Sequence, residues 1–186
     1  ALNNGVKNNP DIISIDGGST DSGPYSLGSG TSKYSRAAIK AEWKSLMVAR
    51  KKANVPLVIG SCGTCGTNGM VDWMENITIE LAEELNQNIK IAKLYCQQEK
   101  NFIKKKFQLS KIFPLNPAPM LNDQLIEEMT NIVALAGAEQ IQECINTGAE
   151  IILAGRTTDT AIISALPLMK GANPGSSWHG AKVVEC

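Results

Sequence analysis

The sequence predicts an α/β protein: an open, mostly parallel sheet with helices on both faces and glycine-rich loops at the carboxyl ends of its strands. Three observations carry that reading. Apolar runs such as Leu57–Ile59 and Ile151–Ala154 lead directly into polar, glycine-bearing segments, and stretches with helical apolar spacing follow. Nine of the 16 glycines fall in two windows, 17–30 and 60–69, and each window opens where an apolar run ends. The 186 residues, 43% hydrophobic, amount to one domain with one good core.

Asp11–Ile15 reads as the first strand, set off by Asn9 and Pro10, and the loop 16–30 follows it. Ile39, Trp43, Leu46 and Met47 recur at helical spacing and predict a helix over about 35–52, ended by Asn54 and Pro56. Leu57–Ile59 is a buried strand that feeds the loop 60–69. Met70, Trp73, Met74, Ile77, Leu81 and Leu85 then form the inward stripe of a second helix. The mixed alternation of 89–95 predicts a strand nearer an edge, and a lysine-bearing helix follows. Prolines at 114, 117 and 119 make 113–119 a connection or lid. Asn122 or Asp123 caps a helix expected to run through Val133, with helical pattern resuming over 137–146 until Gly148. Glu150–Ala154 is the clearest strand, 155–159 its loop, and Ala161, Ile162, Ala165, Leu166 and Met169 the inward face of the next helix. The Gly/Pro/Ser-rich tail, 171–180, reads as a loop entering a strand at 182–186.

Lys+Arg and Asp+Glu number 18 each, so a sequence-independent grip on nucleic acid or on an anionic membrane is not expected. No run approaches the roughly 18 apolar residues of a membrane span. Five cysteines, an odd count, favour reduced thiols and a cytoplasmic protein. In such a chain the glycosylation acceptor Asn76–Thr78, within a helical pattern, is a chance match. The chain starts at Ala1, ends on the run Val183-Val184-Glu185-Cys186, and is only 19% charged. It is therefore expected to be a single α/β domain over 1–186 taken from a longer chain, lacking residues at both ends and working as a homo-oligomer or hetero-complex.

In an open parallel sheet the ligand crevice lies beyond the carboxyl ends of the strands, so the loops 16–30, 60–69 and 155–159 predict one site. Asp16, Asp21 and Asp159 are its carboxylates, able to divide acid and base roles or, with substrate oxygens, to hold a divalent cation. Helix capping is the alternative for Asp159. Gly17, Gly18, Ser19 and Thr20 in the first loop, and Ser61, Gly63, Thr64 and Gly66 in the second, are candidates to bind a small anionic substrate through backbone amides. The alternative for the second loop is tight strand–helix packing. Arg156, beside Thr157, suits a carboxylate or phosphate, or else a salt bridge to Asp16 or Asp159. The second loop lacks a Gly-Lys-Ser/Thr ending and a Gly-x-Gly-x-x-Gly pattern, so neither nucleotide fingerprint applies. Cys62 and Cys65 are C-x-x-C without a second pair, and inert turn residues are the expectation over zinc or redox roles. His179 is placed either at the crevice or on the surface. Lys100, Lys104, Lys105, Lys106 and Lys111 read as a solvated helix face rather than a nucleotide-tail site.

The segment Pro10–Gly30, reading PDIISIDGGSTDSGPYSLGSG, resembles the opening signature of the acyclic terpene utilisation (AtuA-like) family. Pro56–Gly66, Ala154–Ala161 and the tail His179–Cys186 resemble further segments of it. The resemblance implies a cytoplasmic catabolic protein, associated with acyl-CoA metabolism, in a chain about twice this long. It agrees at Asp16, Ser19, Thr20, Asp21, Arg156 and Asp159, whereas small residues are expected where Cys62 and Cys65 stand. The function expected is a lyase- or hydratase-like enzyme acting on a small carboxylate or acyl-CoA, as in acyclic terpene or branched-acid breakdown. A non-catalytic subunit of an obligate complex and a metal-dependent hydrolase are the alternatives.

Overall fold

The fold, a computed structural model, describes residues 1–18 and 23–185. Four parallel strands, β1 (Ile13–Asp16), β2 (Leu57–Gly60), β3 (Ile91–Leu94) and β4 (Ile151–Ala154), form an open sheet in the order β1-β2-β4-β3. The central strands β2 and β4 are buried at every position, as continuous apolar runs require, whereas β3 sits at an edge with Lys93 exposed.

Alternation along the strands feeds two cores. Leu57, Ile59, Ile151 and Leu153 face α3 (Arg36–Ala53) and α4 (Asn68–Glu84), where they meet Trp43, Met47, Met74, Ile77 and Leu81. Val58, Ile152 and Ala154 face α7 (Ala138–Asn146) and α8 (Ala161–Met169), against Ile141, Ile162 and Ala165. Thr78 sits in the first core because its hydroxyl has partners, accepting from Trp43 Nε1 at 2.9 Å and donating to Met74 O at 2.7 Å. The chain steps outward from β1 to β2 and on to β3 over one face. It then returns to β4 over the other, the change of face that right-handed crossovers demand.

Ser35 caps α3, accepting from Ala38 N–H, close to the expected start. Two short helices, α1 (Leu2–Lys7) and α2 (Tyr25–Ser29), were not signalled by periodicity, since neither has enough turns to show a stripe. The lysine helix is α5 (Lys100–Gln108), and α6 is Asp123–Glu128 with Asn122 as its cap. The expected continuation of α6 to Val133 does not occur. Beyond Met129 the chain is captured by two neighbours: Ala134 N–H donates to Cys96 O at 2.8 Å and Ala136 N–H to Arg156 O at 2.9 Å. The expected loop and strand of the tail are also wrong. Residues Pro174–Glu185 form α9, started by Pro174 in the first turn and by Asn173, whose Oδ1 accepts from Ser176 N–H at 3.1 Å. Among the described residues no helix is long and apolar enough to cross a membrane.

Candidate functional site

The loops after β1, β2 and β4 meet backbone to backbone. Gly17 N–H donates to Gly60 O at 2.8 Å, Ser61 N–H to Gly155 O at 2.8 Å, Cys62 N–H to Ala154 O at 3.0 Å and Thr64 N–H to Gly17 O at 3.2 Å. The second loop thus lies stitched between the other two. Such closeness requires glycine. A Cβ on Gly18 would stand 2.3 Å from Thr64 Cα and O, and one on Gly66, itself at φ +66°, 2.4 Å from Arg156 N.

Arg156 fastens the junction. It is 7% exposed, and Nη1 donates to Gly18 O at 3.2 Å and Thr64 O at 3.1 Å, one carbonyl from each of the other loops. Among the described residues the guanidinium makes no ion pair with Asp16 or Asp159, so the salt-bridge alternative does not describe its bonds. The expected amide cradle in the second loop is altered in the same way. The amides of Ser61, Cys62 and Thr64 donate to carbonyls of the neighbouring loops and of β4, and those of Cys65 and Gly66 to Gly63 O and Cys62 O within their own loop. Ser61, Gly63, Gly66 and Thr157 are buried in this junction. Thr157 Oγ1 finds no partner there.

Asp16 and Asp159 lie near enough for the charge of one to act on the other. Asp16 ends β1, and its Oδ1 accepts from Gly18 N–H at 3.0 Å, which sets the turn into the first loop. Asp159, half-buried just before α8, has its pKa raised. Burial is the main cause, followed by the negative charges of Asp16 and then Glu185, while Arg156 and Lys182 oppose. Asp16, Asp159 and Arg156 therefore share one electrostatic neighbourhood. Ser19, Thr20 and Asp21 lie outside the described residues. Glu185 was missed in the sequence because its segment reads as a strand. As the last residue of α9 it pairs with Lys182, and its side chain is 4% exposed. The signal available was Asn173-Pro174, an N-cap and first-turn pair.

Two openings flank the junction. One, of about 280 Å³, is lined by Pro24, Ser26, Leu27, Thr64, Cys65 and Arg156. Its rim is held by Asn131, whose Nδ2 donates to Leu27 O at 2.7 Å and whose Oδ1 accepts from Gln97 Nε2 at 3.1 Å. Gln97 in turn exchanges hydrogen bonds with Asn68 at the start of α4. These three amide side chains gave no sequence signal. The second opening, of about 340 Å³, lies beside Asp16 and Gly17 between β1 and α3.

The family model for acyclic terpene utilisation family protein AtuA matches residues 26–170. The chain belongs to the acyclic terpene utilisation (AtuA) family. The AtuA match takes in the second and third loops, with Arg156 and Asp159, and begins after Asp16. No curated protein and no solved structure matches the chain.

Other singled-out residues of this AtuA-family chain fall as follows. Among the described residues no three His, Cys, Asp or Glu side chains are grouped to hold a metal ion. Cys62 is a core side chain whose thiol is pushed up by burial, and Cys65 contacts Thr67 Oγ1 at 3.6 Å. His179 is exposed on α9. Lys100 donates to Glu127 O and Lys104 pairs with the Glu127 carboxylate, tying α5 to α6.

Proposed function

We propose that the chain is a catabolic enzyme of acyclic terpene utilisation with lyase- or hydratase-like acid–base chemistry on a small carboxylate or its acyl-CoA thioester, in the cytoplasm. The observation behind this reading is that Asp159, its carboxyl biased toward the protonated form, feels the charges of both Asp16 and Arg156 where the three loops meet. Carboxyl groups whose environments differ are suited to opposite roles. In an elimination, the Asp16 carboxylate takes the proton from the carbon next to the carbonyl. The Asp159 acid gives its proton to the departing hydroxyl, which leaves as water while the carbon–carbon double bond forms. Hydration is the reverse. Arg156 keeps the three loops in register and supplies positive charge toward the substrate's anionic end in the opening that Thr64 and Cys65 share with it. Asp21, Ser19 and Thr20 complete the proposed first loop.

The test is turnover of short branched 3-hydroxy acids and their CoA thioesters, followed by the ultraviolet absorbance of the conjugated product. Asp16→Asn and Asp159→Asn should each lower kcat by roughly a hundredfold or more while retaining the fold. Undiminished turnover in either variant overturns the assignment.

A non-catalytic subunit is the second reading. It draws support from Leu109, Phe113, Leu115 and Met120, which stand 58%, 73%, 86% and 86% exposed along one connection and would be covered in an obligate complex. Light scattering separates the two: a stable monomer counts against the subunit, and an inert chain that is soluble only with a partner supports it.

A further inference from the structure

The opening between β1 and α3 differs in character from the one at Arg156. Its walls are the apolar side chains of Ile15, Ile39, Trp43, Leu46 and Met74, drawn from one strand and two helices, and its volume of about 340 Å³ falls at the small end of ligand pockets. That size accepts a single hydrocarbon chain and excludes a protein segment. Trp43 and Met74, 2% and 1% exposed, fix the floor, and the Trp43 ring is held by its bond to Thr78. The charged groups among the lining residues are the carboxylates Asp16 and Glu42. A carboxylate entering here would meet two like charges, whereas an uncharged chain would meet apolar walls.

We propose that this pocket binds the uncharged apolar chain of the substrate, with the anionic end directed across Asp16 toward Arg156. The proposal rests on the reading of Asp16 as a reacting group, and it fixes the orientation of the substrate: tail under α3, charge on the far side of β1. It also assigns a specificity role to Ala38, an exposed position in the first turn of α3 that lines the same pocket.

Titration calorimetry with 1-butanol, 1-hexanol, 1-octanol and octanoate tests the pocket without requiring turnover. Each buried methylene should tighten binding by about fourfold until the pocket is full. Octanoate should bind at least as tightly as octanol, its tail in the pocket and its carboxylate directed past Asp16 toward Arg156. Ala38→Trp places bulk in the pocket without disturbing the core and should abolish the dependence on chain length, with an unchanged melting temperature as the control for folding. Length-independent affinity, or a length dependence that survives in both Ala38→Trp and Leu46→Trp, overturns the proposal. Loss of turnover in Asp16→Asn together with absent chain-length dependence would reject the pocket and leave the catalytic reading standing. The opposite pair of results would reject the catalytic reading and keep a binding site for apolar chains.

Discussion

Gly18→Ala is the sharpest perturbation of the loop junction. Its new Cβ would sit 2.3 Å from both Cα and O of Thr64, where ordinary contact is 3.4–4 Å, so the first two loops must part by about 1 Å. Both sides of the clash are backbone, and no side chain can rotate away. Overpacking of this kind costs about 1–3 kcal/mol. The separation also stretches the Thr64-to-Gly17 bond, already 3.2 Å, and the two Arg156 bonds to Gly18 O and Thr64 O. Losing one bond to a charged donor adds about 1.5–3 kcal/mol. The expected loss is about 3–5 kcal/mol, a large part of the roughly 5–15 kcal/mol that holds a domain together. Urea denaturation measures it, with Gly180→Ala as the matched control. Gly180 lies within α9 with no atom inside 4 Å of its built Cβ, so alanine there should stabilise by about 0.5–1 kcal/mol. A Gly18→Ala chain within about 1 kcal/mol of the parent would refute the claim that the junction is a close backbone contact.

Further outcomes follow from the same geometry. Arg156→Lys keeps the charge but ends one bond short of Nη1, which alone holds both carbonyls, and should destabilise by about 2 kcal/mol in the same urea assay. Asp159→Asn should raise Tm at pH 8 and leave it unchanged at low pH. The folded chain binds the Asp159 proton more tightly than the unfolded one, so stability from this group is present at low pH and is lost as pH rises from about 3.8 through the raised value. Cys62, fully buried with its thiol pushed up, should resist alkylation in the native chain and react at once in urea; native-state labelling read by mass spectrometry checks this.

The four strands of the sheet and the loops that meet at their carboxyl ends were legible in the sequence because each rests on a local signal. Leu57–Gly60 and Ile151–Ala154 are apolar throughout, as only doubly covered strands are, and the glycines after them mark where backbones must approach. Sheet order was not legible, since β4 inserts between β2 and β3 through contacts distant in sequence. Residues 129–136 carry apolar residues at ambiguous spacing, and tertiary hydrogen bonds from Ala134 and Ala136 N–H to the carbonyls of Cys96 and Arg156 decided their conformation. In the tail, glycine and serine composition masked a helix whose start is fixed by Asn173 and Pro174, and with it the arrival of Glu185 near Asp159. The role of Arg156 was hidden for a related reason. Residue type and position gave no sign of its second task, in which Nη1 ties two carbonyls brought within reach by the close approach of the loops.

The central claim is that loops from separate strands bring Asp16 and Asp159 into one site, and carbon NMR titration of the aspartate carboxyl groups tests it without a substrate. Asp159 should titrate above the ordinary carboxylate range in the parent chain and move down in Asp16→Asn, because removing the neighbouring charge removes one cause of the shift. An Asp159 that titrates in the ordinary range, or that is indifferent to Asp16→Asn, would contradict the convergence on which the proposed chemistry depends.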